Sequence, residues 1–266
     1  MHNVHSFILL LTLTFIFGCS NDKKAEKIYH EAETSAAKKE FNKSKLLIDS
    51  ILNYHSDNIE YTTRSKDLLR TITKAEQENN LAFLDSMLTA KQQELDPLMI
   101  NFEESLEVGE VPTLIHKRQK IENSFSRSYI MANLNKNGDF YLSSRYVGKQ
   151  RIHHTGIKVY DKSLSAETET IEEDSLLNRS FSDEDWHWEI INYKSNRDNG
   201  VADFIAQHAE KSLKVEFKGT QRHFIVMEQY DKEAIRDAYE ISFILRETAK
   251  IKEQMENVKS TINKLK

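Results

Sequence analysis

Residues 129–144 read YIMANLNKNGDFYLSS, and this stretch decides the fold class. Ile130, Ala132 and Leu134 alternate with Tyr129, Met131 and Asn133. That is the period of two of a strand with one buried face. Asn137-Gly138 follows, and Phe140, Leu142 and Ser144 resume the alternation. An Asn-Gly step between two alternating runs predicts an antiparallel β-hairpin.

Outward from the hairpin, the same period covers roughly residues 113–227. Further strands are expected at 151–160, 166–171, 185–193, 213–217 and 222–227, with Gly219 in the turn between the last two. Val201, Phe204, Ile205 and His208 step at helical spacing after Asn199-Gly200 and predict one short helix. On either side the period becomes helical. Residues 59–95 hold no Gly or Pro, and Leu81, Leu84, Leu88 and Leu95 form a stripe. Pro97 is expected to end this helix, and residues 103–112 to form an acidic connector. Asp231 opens a second long helix, where Ile241, Ile244, Thr248, Ile251, Met255, Val258, Ile262 and Leu265 step by three and four. Such a seam asks for a helical partner. Antiparallel pairing of the two long helices is the simplest way to bury it, and self-association is the competing way.

Residues 21–57 predict a helical hairpin turning near Lys39-Glu40-Phe41-Asn42. The stretch reads first as a plain hairpin, and Tyr29, Ala32, Phe41, Ser44, Ile48 and Leu52 also resemble one tetratricopeptide unit. A lone unit cannot stack into a solenoid, so it must dock elsewhere or accept a partner. The fold class expected is α+β: a helical hairpin and two long coiled-coil-like helices flanking a mainly antiparallel β module.

The first eighteen residues hold no Lys, Arg, Asp or Glu, and 7–17 is an apolar run broken only by Thr12 and Thr14. A run this short reads as a signal peptide, since a membrane-spanning helix needs about 20 residues. Ile16-Phe17-Gly18-Cys19 resembles the lipobox of bacterial lipoproteins, which implies cleavage before Cys19 and lipid on its sulfur. Cys19 is the only cysteine, so stability must come from packing. An ordinary signal peptide that leaves Cys19 as a stray thiol is the alternative. The expected division is 1–18 leader, 19–58 anchor and hairpin, 59–96 helix, 97–230 β module and 231–266 helix.

Composition narrows the function classes. The chain is 30% charged and only 39% hydrophobic, with 7 Gly and 2 Pro among 266 residues, which favours long exposed helices. A net charge of −5 offers no basic footprint for nucleic acid. No glycine-rich phosphate loop, G-x-S-x-G, H-E-x-x-H or C-x-x-C occurs, so no cofactor and no motif-bearing chemistry is expected.

His153-His154 is the best metal candidate, but strand neighbours point to opposite faces. A site would need His187 or His223 and a carboxylate such as Glu189, so no metal is expected. Trp186 and Trp188 share one face, which Ile190 continues. The alternation reads as half-buried core; as the alternative, the pair are the candidate binding residues, an aromatic platform for sugar or peptide. The basic run 116–120 reads as a solvated connector, with acidic lipid headgroups as its alternative partner. The acidic clusters 167–174 and 182–185 read as polar loops.

Several segments together resemble a set of uncharacterised lipoproteins of Bacteroidota-type gut bacteria: Leu46-Leu47-Ile48-Asp49-Ser50-Ile51, Phe140-Tyr141-Leu142-Ser143-Ser144-Arg145-Tyr146, His153-His154-Thr155-Gly156-Ile157-Lys158-Val159, Asp198-Asn199-Gly200-Val201-Ala202 and Leu213-Lys214-Val215-Glu216-Phe217. The resemblance implies an envelope location and an architecture, and no catalytic residues. The expectation is a non-enzymatic envelope protein, held to a membrane through lipid on Cys19, that meets a protein partner or itself through its coiled coil. A surface glycan or peptide binder using the Trp186 face is the second reading, and a hydrolase with an unrecognised site the third. Ser20 after the lipidated cysteine points by analogy to the outer membrane.

Overall fold

The computed structural model describes residues 18–105 and 111–265, with side chains from residue 22 onward. The leader and the Cys19 side chain lie outside the described residues. The chain is α+β. In order, the elements are α1 (Gly18–Ala37), α2 (Phe41–Tyr54), α3 (Ile59–Met99), β1 (Phe102–Ser105) and β2 (Thr113–His116). A 3-10 turn (Lys117–Gln119) and the one-turn α4 (Ile121–Ser124) precede β3 (Tyr129–Asn135), β4 (Phe140–Gly148), β5 (Gly156–Tyr160) and β6 (Ser165–Glu167). Next come β7 (Asn178–Asp183), β8 (Trp186–Tyr193), α5 (Val201–Gln207), β9 (Lys214–Lys218), β10 (His223–Val226) and α6 (Gln229–Lys264). They form two compact units, Met1–Ser86 with Gln254–Lys266, and Met87–Glu253.

In the first unit, α1 and α2 close tightly because the facing residues are small. Ala25, Ala32 and Ser44 have no exposed surface, and the Ser44 hydroxyl donates to the Ala32 carbonyl at 2.7 Å. Lys39 makes the turn with φ of 62°. The α1–α2 hairpin docks on α3: Ile72 joins Ala32 and Ile48, with Leu68 and Leu69 packed alongside. Arg64 of α3 lies over the Tyr29 ring at 4.4 Å. At the far end of α6, Arg70 Nε donates to the Leu265 carbonyl.

The second unit holds two antiparallel sheets, ordered β1-β2-β3-β4-β8-β7 and β10-β9-β5-β6. Their inner faces share one core with α5 and α6, built from residues such as Leu142, Ile191, Val215, Phe217, Ile205 and Ile241. The Asn137-Gly138 turn is seated on α6. Gly138 has φ of 83°, and its carbonyl accepts from the Ser242 hydroxyl at 2.7 Å. Lys91 of α3 pairs with Glu247 of α6 at 3.1 Å. Along the α6 seam Ile241, Ile244, Ile251 and Val258 are buried, and Thr248, Met255, Ile262 and Leu265 are half-buried.

Several local expectations change. Pro97 does not end α3, because in the last turn its missing N–H forfeits only one bond, and the helix runs to Met99. The connector at 103–112 begins as a strand, with Phe102 paired to His116. Residues 182–183 are not loop but the end of β7, which carries one apolar residue, Phe181, and pairs with β8 throughout. The strand expected at 166–171 regularises only as β6; beyond it Thr168 and Ile171 keep single backbone bonds to Ile157 and Thr155. Asp231 does not open α6, which begins two residues earlier; its buried carboxylate meets Arg127 and Gln119. The run 116–120 is not a solvated connector. Gln119 has no exposed surface and bonds Ile130, Ala132 and Asp231, while Lys117 caps the Ile100 carbonyl and Lys120 pairs with Glu103.

Candidate functional site

The strand expected at 151–160 regularises only from Gly156, and the irregular stretch before it builds a buried polar cluster. His153 adopts φ of 52°, which turns three successive amides towards one carboxylate. The N–H groups of Ile152 and His153 donate to Glu189 Oε1 at 2.8 and 3.0 Å, and that of His154 to Oε2 at 2.8 Å. His154 Nδ1 adds a fourth bond at 2.9 Å. Burial pushes the Glu189 carboxyl up, but the bonds from the His154 ring and the amides pull it further down, to about 2. Gly219 lets the β9–β10 turn lie against this stretch, since a Cβ there would stand 2.2 Å from the Ile152 carbonyl oxygen.

On its other side the His154 ring presents Nε2 to the Ser144 hydroxyl at 3.0 Å, and Tyr193 meets that hydroxyl at 2.8 Å. Burial holds the Tyr193 phenol well above its usual range. Ser144, His154 and Glu189 thus have the order and spacing of a nucleophile, base and orienting carboxylate. Access is what they lack. Ser144 has no exposed surface, and His154 and Glu189 almost none. Tyr193 also occupies the approach to the hydroxyl. Beside the cluster is room for about one water, about 30 Å³ between Arg151, His153, Glu173, Asn178 and Ser180. The arrangement clamps residues 151–155 to β8, and the space that reaches His154 and Glu189 holds about one water.

The remaining metal candidates are kept apart: His153 pairs with Glu173, His187 meets Ser182, and His223 packs on Tyr146 and Phe217. Among the described residues no three His, Cys, Asp or Glu side chains gather as a cation site.

The tryptophans lie on the other side of β8. Its core-facing residues are Glu189, Ile191 and Tyr193, opposite in phase to the Trp186, Trp188, Ile190 alternation expected to be core. Trp188 is nevertheless buried, because Phe181 stacks on it at 5.1 Å and Phe125 covers it at 4.9 Å, with Nε1 donating to the Phe125 carbonyl. Trp186 is 42% exposed. The two tryptophans therefore do not form one open platform: Trp188 is the centre of a stack, and Trp186, Phe181 and Phe125 are its open margin.

This outer face of the six-stranded sheet carries more than the rings. Register places Arg145 of β4 and Arg179 of β7 on either side of Ile190. Ser143 sits opposite Asn192 and bonds it at 2.6 Å, and Asn133 bonds Ser143 at 2.7 Å. A cavity of about 620 Å³ opens here, lined by Ile115, Met131, Asn133, Tyr141, Arg145 and Arg179 among others. Arg145 leans on the Met131 sulfur, and neither arginine has a carboxylate partner among the described residues. Nothing in the sequence alone joins Arg145 to Arg179, because the β4-β8-β7 order is what brings them together.

No protein-family model, no curated protein and no solved structure matches the chain.

Proposed function

We propose that this chain is a lipid-anchored, non-catalytic envelope protein that works by binding a ligand on the outer face of its six-stranded sheet. The observation that carries the reading is the cavity of about 620 Å³ on that face, open to solvent and bordered by Arg145 and Arg179, which pair with no carboxylate among the described residues. Concave sites with a few convergent polar groups are where ligands bind. The covered seam of α6 favours this face over self-association through the helix, and the sealed Ser144 hydroxyl argues against hydrolysis. The anchor rests on the apolar run 7–17 and the lone Cys19 that follows it. Among the described residues no helix is long and apolar enough to cross a membrane.

A photo-crosslinking side chain at Tyr141, with Lys214 of the other sheet as control, tests the reading in intact cells. Ultraviolet light should yield a discrete adduct from position 141 and none from 214. A Cys19→Ser chain should lose incorporation of a palmitate analogue and leave the membrane fraction. No adduct at 141, or equal adducts at both positions, overturns the binding face; undiminished palmitate labelling of Cys19→Ser overturns the anchor.

A further inference from the structure

The chemistry of this outer face is ordered across the sheet in rows, of which Arg145, Arg179 and Asn133 line the cavity, and the order specifies a ligand. This step rests on the outer face being the binding face. The middle row is Arg145, Ile190 and Arg179. One strand separates the arginines, so their Cα atoms stand about 10 Å apart, within convergent reach of two long side chains. Planar guanidinium groups suit a carboxylate, which they grip through paired hydrogen bonds. About 7 Å along the strands in one direction lies the row Val147, Trp188 and Phe181, with rings stacked at 5°. In the other direction lie the amides and hydroxyl of Asn133, Ser143 and Asn192.

We infer that the face binds an acidic oligosaccharide, its carboxylate between Arg145 and Arg179 and a neighbouring ring against the Phe181–Trp186 margin. An extended peptide fits the floor poorly. Peptides laid on sheets are held by main-chain bonds to an unpaired edge. The cavity is walled by β2, β3 and β4, whose ladders are occupied on both sides, so they offer side chains only; Arg179 reaches in from the edge strand β7. Hydroxyls and acetamido groups of sugars are satisfied by just such amide side chains, and their ring faces by aromatic ones. Asp139, which also lines the cavity, is held by Asn135 at 2.9 Å and lies beyond the arginine row.

Calorimetry on the full detergent-solubilised chain decides the matter with five probes: trigalacturonate, 3′-sialyllactose, the carboxyl-reduced form of each, and hexaglutamate. At least one acidic sugar should bind, its reduced form at least tenfold more weakly. Arg145→Gln/Arg179→Gln should lose at least tenfold for the acidic sugar while keeping the parent's thermal midpoint; Arg179→Gln alone, at an exposed site, should lose part of it. Equal binding of acidic and reduced sugars, tighter binding of hexaglutamate, or binding of none overturns the ligand class. A persistent crosslink at position 141 in that event leaves the binding face standing and shows that only the ligand was misassigned.

Discussion

An Arg127→Ala chain will lose about 3–5 kcal/mol of stability, the cost of leaving a buried carboxylate without its partner. Asp231 is 2% exposed, and Arg127 grips it with both terminal nitrogens, Nη1 to Oδ2 at 2.5 Å and Nη2 to Oδ1 at 2.9 Å. The guanidinium is held over the Tyr129 ring at 4.1 Å and the Tyr230 ring at 5.1 Å. Truncation removes the counter-charge and that packing together. Gln119 alone then faces Asp231, with one bond. At roughly 2–4 °C per kcal/mol for a unit of this size, the thermal midpoint should fall by about 6–20 °C. Adding Asp231→Asn should restore part of the loss, because the uncompensated charge is then gone. A fall below about 1 kcal/mol for the single variant would show that this pair does not hold α6 to β3.

The second large effect belongs to Glu189, and it has a pH signature. The folded carboxyl is held at about 2, below its ordinary value of 4.5. A depressed carboxyl stabilises the fold above its unfolded pKa, and the contribution drains away as pH falls through the folded one. The window is therefore about pH 4.5 to 2, and the contribution about 3 kcal/mol. Glu189→Gln keeps the shape but points an amide N–H at the His154 donors, so it should cost a similar amount at pH 7. The difference in urea midpoint between parent and variant should be constant above pH 5 and shrink steadily towards pH 2. A pH-independent difference would mean the carboxylate is not what clamps residues 151–155.

What could be read from the sequence was what periodicity expresses. The 129–144 hairpin, α5, the α6 seam and the α1–α2 hairpin each repeat at two or at 3–4 residues, and each forms. β7 could not be read that way: an exposed edge strand with Phe181 as its one apolar residue shows no alternation. The phase of β8 misled for a different reason. Two tryptophans outweigh one carboxylate on any hydropathy pattern, yet Glu189 is tolerable in the core because four donors satisfy it. Both clusters that matter most are joined through β4 and β8, separated by some forty residues, a pairing that no local pattern reports. Ser144 reaches His154 and Glu189, and Arg145 reaches Arg179, only once β4-β8-β7 is assembled.

The outer face of the six-stranded sheet should be occupied in the cell. Hydroxyl-radical footprinting of intact cells against the purified chain measures this directly, because the part-buried Tyr141 and several exposed aromatic residues report on different faces. Tyr141, Phe181 and Trp186 should be protected in cells, whereas Phe224 of β10 and Phe243 of α6, both about half-exposed, should react equally in the two settings. Protection confined to Phe243 or Phe224, with Tyr141 and Trp186 as reactive in cells as in solution, would contradict it.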